Sequence, residues 1–361
     1  MDDLDRLGKW FCGKRILVTG HTGFKGGWLV QALKLLGAEV FGYSLPPESG
    51  ESLYFASKVQ GLLSGEVYGD IRDYASFFEF CERIEPEIVF HLAAQPLVLA
   101  GISNPRHTFD VNFMGSLNVV EVLRKMKSVR VLLCVTTDKV YGAHGGKSVS
   151  EEDQFFASDP YSTSKACADL MVQSYLKTFK NSEMFKTAIV RAGNVIGGGD
   201  WAQDRLVPDF FRAVASNSVL NVRNPSHVRP WQHVITPTLG YLCLAWSLGR
   251  GQLSESEAWN LGPQDFECGS VEKVIELLSK NVTFSPVIKY QVAIGNQENP
   301  CLILDSAKSR ELLGFHLDFS IEEIIAMTAE WYETYSNGGP VRELTIEQLR
   351  LGFSKAGLGE V

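Results

Sequence analysis

Two side chains that could move a proton together lie one helical turn apart. Tyr161 and Lys165 are separated by four positions on a helix predicted to begin at Asp159-Pro160, so they share one face of that helix. A phenol with a pKa near ~10 is a weak base at neutral pH. A neighbouring ammonium stabilises the phenolate and lowers that pKa. The pair therefore predicts proton transfer at a hydroxyl or carbonyl of a substrate.

A glycine-rich loop lies upstream, between a predicted strand (Arg15–Thr19) and a predicted helix (Gly27–Leu36). Its glycines are spaced GxxGxxG, and Gly37 ends the helix. Glycines permit a tight turn and a close backbone approach, and the N-terminus of the following helix favours an anion. The loop predicts a dinucleotide site that includes Gly20, Thr22, Gly23, Phe24, Lys25 and Gly26.

The end of the second predicted strand normally carries an acid that binds the adenine ribose. Here Val40–Ser44 offers neither an acid nor an arginine cluster, so the residues leave NAD and NADP as alternatives. The turn Gly69–Asp73 is a candidate for the adenine contact, with Asp70 as an acceptor and Ile71 beside it. A solvated surface turn is the alternative interpretation of the same residues.

Strand and helix patterns alternate through the first half of the chain. Short, almost unbroken apolar runs favour a parallel sheet that is covered on both faces. They fall at Arg15–Thr19, Glu39–Leu45, Ile88–Leu92, Val129–Val135 and Thr187–Arg191. Helices are predicted from Asn104-Pro105 to about Met126, from Asp159-Pro160 to about Phe179, near Ser270–Lys280 and near Ser320–Tyr335.

These elements predict an α/β fold: a Rossmann-type doubly wound parallel sheet followed by a smaller C-terminal substrate-binding α/β domain. The dinucleotide domain is expected over residues 1–191, with return segments from about 230–260, and the second domain mainly over 192–361. Thr137 follows the strand 129–135, where its hydroxyl can share a hydrogen bond to the substrate oxygen.

Composition excludes several other classes of protein. The 361 residues are 45% hydrophobic and 21% charged, with a net charge of −8, so a nucleic-acid-binding surface is not expected. No apolar stretch approaches the roughly 20 residues that cross a bilayer. The seven cysteines contain no CxxC pair, and no histidine–carboxylate set has metal-ligand spacing, so we expect no metal site and a cytoplasmic protein.

Several of these segments resemble the extended short-chain dehydrogenase/reductase family of nucleotide-sugar enzymes. The resemblance rests on Gly20–Gly26, Leu92-Ala93-Ala94, Asn112, Thr137 and the pair Tyr161 and Lys165. It implies an NAD cofactor that is held tightly and regenerated in each turnover. It places Leu92, Ala93, Ala94 and Asn112, together with Tyr161 and Lys165, against that cofactor. It also implies a homodimer built on the first two long helices.

A second set of segments resembles the 4,6-dehydratase branch that acts on CDP-glucose. The segments are Thr19–Leu29, His91–Leu97, Thr137–Lys139, Arg191–Trp201 and Arg229–Val234. In this branch Tyr161 would take the proton of the glucose 4-hydroxyl as hydride leaves C4. The acidified C5 hydrogen would then be lost with the C6 hydroxyl, and hydride would return to C6. The product would supply deoxysugars for a surface polysaccharide such as lipopolysaccharide O-antigen.

The resemblance assigns the elimination of water to Asp138 and Lys139. A lysine stands at Lys139 where dTDP-glucose dehydratases carry a glutamate. An amine must be neutral to remove a proton, and the close anion of Asp138 opposes that state. Lys139 is therefore either the base or a cation that stabilises the enolate, and the individual roles of the pair stay open.

The nucleotide-sugar contacts are expected at Gln95, Asn194, Arg205 and Arg229, because planar arginine donors suit phosphate oxygens. Trp201 and Trp231 could pack on sugar or base, but structural tryptophans are the commoner explanation. His91 and His233 lie in apolar runs and are interpreted as structural. Segment 140–153 is closer to the general epimerase and dehydratase loop than to that of the CDP branch.

Two rival functions follow from the same residues. A nucleotide-sugar 4-epimerase would use Thr137, Tyr161 and Lys165 without needing Asp138 or Lys139. A non-catalytic dinucleotide sensor would have no use for a poised phenol, so the intact Tyr161 and Lys165 pair argues against it.

Overall fold

The computed structural model describes most of the chain. The described residues are 3–47, 50–142, 144, 147–179, 185–253, 257–263, 268–291, 302–314, 316–317 and 319–359. In the predicted loop segment 143–153, residues 143, 145 and 146 lie outside these ranges. Within them, no helix is both long and apolar enough to span a membrane, and no group of three metal-ligating side chains lies together.

Seven parallel strands form the central sheet. They are β1 (Arg15–Thr19), β2 (Glu39–Ser44), β3 (Gly65–Tyr68), β4 (Ile88–His91), β5 (Val131–Val135), β6 (Lys186–Ala192) and β7 (Glu257–Leu261). Their order across the sheet is β7-β6-β5-β4-β1-β2-β3. This is the doubly wound order, with the switch point between β1 and β4. The predicted fold class is confirmed.

Every residue of β4 and β5 is buried, as expected for strands covered by helices on both faces. The helices are Asp3–Phe11, Phe24–Leu35, Leu53–Ala56, Tyr74–Ile84, Val98–Ser103, Pro105–Phe109, Gly115–Leu123, Pro160–Thr178, Leu206–Ala215, Ile235–Gly249, Val271–Lys280, Ala307–Leu313, Ile321–Ser336 and Val341–Lys355. Short 3-10 turns cover Val59–Leu62 and Asp138–Tyr141, and a π-turn covers Asp110–Met114.

The predicted helix starts are capped as the sequence indicates. The Asn104 side chain accepts from the backbone N–H of His107, and the Asp159 side chain accepts from that of Ser162. Such caps satisfy backbone donors that the first turn leaves without partners. They fix where the helix of Tyr161 begins, one residue before that tyrosine.

Outside the sheet, four two-stranded pairs shape the second half of the chain. Three are parallel: Val195–Ile196 with Gln232–His233, Val219–Arg223 with Val287–Gln291, and Ser148–Val149 with Ile303–Leu304. Val228–Pro230 pairs antiparallel with Cys268–Ser270. Each pair joins segments that are far apart in the chain.

The chain returns twice to the dinucleotide-binding side. Helix Ile235–Gly249 packs on β5, β6 and helix Phe24–Leu35, and β7 adds the last strand of the sheet. This return lies where segment 230–260 was expected. The last helix, Val341–Lys355, packs on helices Phe24–Leu35 and Ile235–Gly249, although the sequence assigned it to the substrate-binding part. The expected boundary near residue 191 stays a prediction.

Candidate functional site

The carboxyl ends of β1, β4 and β5 meet at one edge of the sheet. The backbone N–H groups of Leu92 and Ala93, just after β4, donate to Thr19 Oγ1, both at 3.2 Å. Gly20, at the end of β1, has a φ of +76°, and a methyl group there would lie 2.8 Å from the Ala93 nitrogen. The glycine loop and Leu92–Ala94 therefore line one crevice, which is the expected ligand position for this topology.

The glycine loop has the form of a diphosphate cradle. A Cβ at Gly26 would lie 2.1 Å from the carbonyl oxygen of Gly20, so the loop closes on itself without room for a side chain. The helix that follows has no acidic residue in its first turn, and no side chain caps it. Its N-terminal N–H groups and positive dipole end are thus left to an anion. The residues present fit a dinucleotide diphosphate.

Gly26→Ala should close this cradle. The added methyl group must push the Gly20 carbonyl aside, and such overpacking costs about 1–3 kcal/mol. We expect a lower melting temperature and a dissociation constant for dinucleotide raised by about tenfold or more, measured by calorimetry. Gly61→Ala is the matched control, because a Cβ at Gly61 meets nothing within 4 Å. Equal binding by both variants would contradict the assignment.

Tyr161 and Lys165 lie on one face of helix Pro160–Thr178, as predicted, and are 8% and 5% exposed. Burial raises the pKa of Tyr161 to about 12, although a hydrogen bond with Thr137 and the charge of Arg205 work against that rise. The Lys165 ammonium donates to the Val135 carbonyl oxygen at 3.0 Å. The expectation that Lys165 lowers the pKa of Tyr161 is therefore not met by the protein's own groups, because desolvation outweighs them.

We expect Lys165 to lower the free energy of unfolding by an amount that depends on pH. Burial lowers its pKa from 10.5 to about 8, so below pH 8 the folded state holds an ammonium that water would solvate better. Lys165→Met should raise the free energy of unfolding at pH 7 by at most about 3 kcal/mol. The gain should shrink as pH rises from 8 towards 10.5. Denaturant unfolding at several pH values measures it, and a variant less stable at every pH would contradict it.

Asp138 begins the turn after β5 and is 5% exposed. Burial raises the pKa of its carboxyl group, while the charges of Lys139 and Lys25 and a hydrogen bond from Thr137 oppose that rise. The Thr137 hydroxyl donates to Asp138 Oδ1 at 3.1 Å. The structure thus brings together Thr137, Asp138, Lys139 and Tyr161 as predicted.

Lys25 reaches further into the site than the sequence indicated. Burial lowers the pKa of its ammonium to about 8, with additional lowering from the charges of Arg205 and Lys165 and opposition from Asp138 and Asp200. Lys25 is therefore within electrostatic range of Arg205, Asp138, Lys165 and Asp200. The position of Lys25 inside a glycine motif does not predict these interactions.

Asn112 braces the loop after β4 against the catalytic helix. Its Oδ1 accepts from the Gln95 backbone N–H at 2.8 Å, and its Nδ2 donates to the Gln95 carbonyl oxygen at 3.0 Å and to Ser164 Oγ at 2.9 Å. The Gln95 side chain binds Thr108 Oγ1 and the backbone N–H of Leu97. One end of that amide thus binds helix Pro105–Phe109 and the other binds its own loop, and the predicted substrate contact of Gln95 stays a prediction.

In the turn predicted to contact adenine, the Asp70 carboxylate binds the guanidinium of Arg72, with its shortest contact at 2.6 Å. Ile71 is 5% exposed and lies beneath the helix at Gly115. At the end of β2, Ser44 Oγ lies 2.8 Å from Thr22 Oγ1. A hydroxyl thus occupies the strand end where an acid is usual, and it anchors the glycine loop.

The predicted phosphate-binding groups lie on the segment after β6 and beyond it. Arg205 Nη1 donates to Asp200 Oδ2 at 2.9 Å and is close enough to Tyr161 for their charges to interact. Asn194 is half-buried just after β6. Arg229 donates to the Val228 carbonyl oxygen at 3.0 Å. The structure thus places Arg205 near Tyr161, while the phosphate contacts expected of Asn194 and Arg229 stay predictions.

The tryptophans and histidines interpreted as structural make contacts within the protein, and that interpretation stays a prediction. Trp231 Nε1 donates to the Gly269 carbonyl oxygen at 2.9 Å, and Trp201 packs edge-on against Tyr332. His91 lies between Thr19 Oγ1 at 2.8 Å and Ser116 Oγ at 2.9 Å. His233 is fully buried, and burial lowers its pKa to about 3.

Sequence reasoning missed two buried carboxylates of the site. Asp169 lies one turn beyond Lys165, and the same four-residue spacing that singled out Lys165 would have found it. Asp200 lies in segment Arg191–Trp201, which was quoted for its resemblance without a role for this residue. Asp169 forms an ion pair with Arg191, and Asp200 forms one with Arg205.

Comparison with known proteins agrees with this geometry. A model of the NAD dependent epimerase/dehydratase family matches residues 16–235. A CDP-glucose 4,6-dehydratase from Salmonella typhimurium is 36% identical over 335 residues, which are 90% of this chain and 92% of that protein.

Solved structures show the same fold. A UDP-glucose 4-epimerase from Thermotoga maritima, solved with UDP-glucose, has a TM-score of 0.77 at 22% identity, over 89% of this chain and 99% of its own. A dTDP-glucose 4,6-dehydratase from Bacillus anthracis, solved in complex with NAD, has a TM-score of 0.74 at 22% identity, over 91% of this chain and 100% of its own.

Proposed function

This chain belongs to the NAD dependent epimerase/dehydratase family and is a hydro-lyase within it, and from that premise we propose that it converts CDP-glucose to CDP-4-keto-6-deoxyglucose. The observation that carries the proposal is the pairing of two acid–base groups in one crevice. Tyr161 with Lys165 serves oxidation at C4, and Asp138 with Lys139 serves the elimination of water from C5 and C6. A 4-epimerase needs only the first group.

The cofactor is NAD. The cradle formed by Gly20, Gly23 and Gly26 would hold its diphosphate, with Thr22, Phe24 and Lys25 in the same loop. Asp70 and Ile71 would lie at the adenine, and Leu92–Ala94 and Lys165 nearer the reactive end. Bound NAD supplies the hydride acceptor at C4 and, after water has left, the hydride donor at C6. The positive charge of the bound cofactor would add to Thr137 and Arg205 in stabilising the Tyr161 phenolate against burial.

Tyr161 takes the proton of the sugar 4-hydroxyl in the first step. Its hydrogen bond with Thr137 and the charge of Arg205 stabilise the phenolate against burial. Thr137 and Tyr161 together hold the substrate oxygen in the position where its proton leaves. Once C4 is a ketone, the hydrogen on C5 becomes acidic.

Asp138 and Lys139 complete the loss of water. Because burial raises the pKa of Asp138, the carboxyl group is suited to donating a proton to the departing C6 hydroxyl. Lys139, as a neutral amine, would then take the C5 proton. In the alternative assignment the Asp138 carboxylate takes that proton and Lys139 stabilises the enolate with its charge. Elimination needs one group that donates a proton and one that accepts a proton, which agrees with an acid and an amine side by side in this turn.

The nucleotide sugar would be held by its diphosphate. Arg205 and Arg229 would offer planar donors for phosphate oxygens, and Asn194 would add an amide donor. The expected homodimer would form on the first two long predicted helices, which run over 105–123 and 160–178. Each exposes a large apolar side chain: Met114 at 43% and Leu170 at 54%.

Incubation with CDP-glucose and, separately, dTDP-glucose tests the proposal. With only catalytic NAD present, we expect mass spectrometry to show loss of one water from CDP-glucose and little change in dTDP-glucose. Water lost only from dTDP-glucose would overturn the choice of CDP-glucose as the substrate. A new hexose epimer without a mass change would move the chain to the epimerases and remove Lys139 from catalysis.

A further inference from the structure

A buried ion pair lies behind the catalytic crevice and takes no part in the chemistry described above. Arg191 Nε and Nη2 donate to the two carboxylate oxygens of Asp169, each at 2.9 Å. The side chains are 1% and 0% exposed. Asp169 lies one turn beyond Lys165 on the catalytic helix, and Arg191 lies near the end of β6. The pair thus joins the helix of Tyr161 to β6, the second strand from one edge of the sheet.

Both ends of the Asp138–Tyr141 turn are attached to this ion pair. Before the turn, the Thr136 hydroxyl donates to Asp169 Oδ2 at 3.1 Å. At its end, Arg191 Nη1 donates to the Tyr141 hydroxyl at 2.7 Å. The turn between these two attachments carries Asp138 and Lys139. Its position relative to the catalytic helix therefore depends on two hydroxyl groups.

The Tyr141 hydroxyl is also tied to the last strand of the sheet. It donates to Asn260 Oδ1 at 2.8 Å, and Asn260 Nδ2 donates to the carbonyl oxygens of Val149 and Asp305 at 3.1 and 3.0 Å. The Tyr141 side chain is fully buried. A buried network whose members are all satisfied holds one arrangement rigidly.

We propose that Asp169, Arg191, Thr136 and Tyr141 form a clamp that sets the distance between the oxidation pair and the elimination pair. Its members are positioning residues, since they act through the turn. The inference rests on the proposed function, in which C4, C5 and C6 of one sugar must meet both pairs without the sugar moving. A displacement of about 1 Å at reacting groups lowers rates by about 100-fold.

Loosening the clamp should affect the two steps unequally. Tyr161 and Lys165 have supports of their own, because Lys165 donates to the Val135 carbonyl oxygen at 3.0 Å and Ser164 Oγ accepts from Asn112 at 2.9 Å. The outer end of the elimination turn depends on the Tyr141 hydroxyl. Elimination should therefore slow while oxidation at C4 continues.

Single hydroxyl deletions test the clamp without leaving a buried charge unpaired, which removal of Arg191 or Asp169 would do. The variants are Tyr141→Phe and Thr136→Val. The matched control is Tyr241→Phe, because Tyr241 is 1% exposed and its hydroxyl has no hydrogen-bond partner among the described residues. All are assayed as full-length protein with NAD and CDP-glucose.

We expect both clamp variants to slow water loss by about tenfold or more, while the rate of C4 oxidation in a single turnover stays within about twofold. Reduced NAD should then accumulate, as seen in its absorbance, and the KM should be unchanged. Tyr241→Phe should behave as wild type. The proposal would be overturned if both steps slowed in parallel or if neither step changed. It would also be overturned if both clamp variants failed to fold while the control folded. Failure of the wild-type protein to release water would instead reject the proposed function.

Discussion

Tyr161→Phe should abolish oxidation at C4 while leaving NAD binding intact. The variant keeps the aromatic ring, which is 8% exposed in the wild-type protein, and removes only the hydroxyl that takes the proton. Loss of a positioned acid–base group costs about 100- to 10,000-fold in rate. A single-turnover reaction with CDP-glucose should therefore show neither reduced NAD nor loss of water.

The control for this variant is Tyr175→Phe, on the outer part of the same helix, where the hydroxyl interacts with Glu121. It should turn over at the wild-type rate. Calorimetric titration with NAD should give one dissociation constant for all three proteins. Turnover by Tyr161→Phe at the wild-type rate would remove the central assignment of this site, whichever nucleotide sugar is the substrate.

Lys139→Ala should leave oxidation at C4 in place and slow the elimination of water, whereas Tyr161→Phe prevents both. Oxidation at C4 depends on Tyr161, so reduced NAD should still form after mixing with CDP-glucose. Elimination should slow by about 100- to 10,000-fold, because one of its two acid–base groups is missing. The expected result is a build-up of reduced NAD with the 4-keto sugar still holding its C6 hydroxyl, which mass spectrometry detects.

Lys139→Arg distinguishes the two roles left for this lysine. Arginine keeps the positive charge but does not give up its proton in proteins. Recovery of elimination in the arginine variant would assign Lys139 to stabilising the enolate, and failure to recover would assign it to removing the C5 proton. Lys147→Ala, at an exposed lysine eight residues away, should leave both steps unchanged. Unaltered product formation by Lys139→Ala would exclude the lysine from the mechanism.

The sequence predicted what depends on local pattern. β1 has the predicted bounds, and the other predicted strands differ by one or two residues at their ends. The helix starts at Asn104 and Asp159 are local as well, because each cap is made within three residues. Tyr161 and Lys165 share a face because the helical repeat requires it.

What the sequence left out depends on contacts between distant segments. The Tyr141 hydroxyl meets Asn260, 119 residues later, and Tyr332 reaches the Asp200 carbonyl 132 residues earlier. The pKa of Tyr161 is raised by burial. The four-residue spacing between Tyr161 and Lys165 does not predict that burial. The Gln95 amide reaches Thr108, 13 residues later, in helix Pro105–Phe109, a contact that the pattern around Gln95 does not indicate.

The late return of the chain to the sheet has a consequence for synthesis on the ribosome. Until residues 257–261 emerge, β6 has no neighbour on its outer side, and an uncovered strand edge invites pairing with other chains. The helix packed against Phe24–Leu35 arrives later still, at Val341–Lys355. The nucleotide-binding half therefore cannot finish folding while it is being made, and a nascent chain halted before residue 257 should depend on chaperones to stay unaggregated.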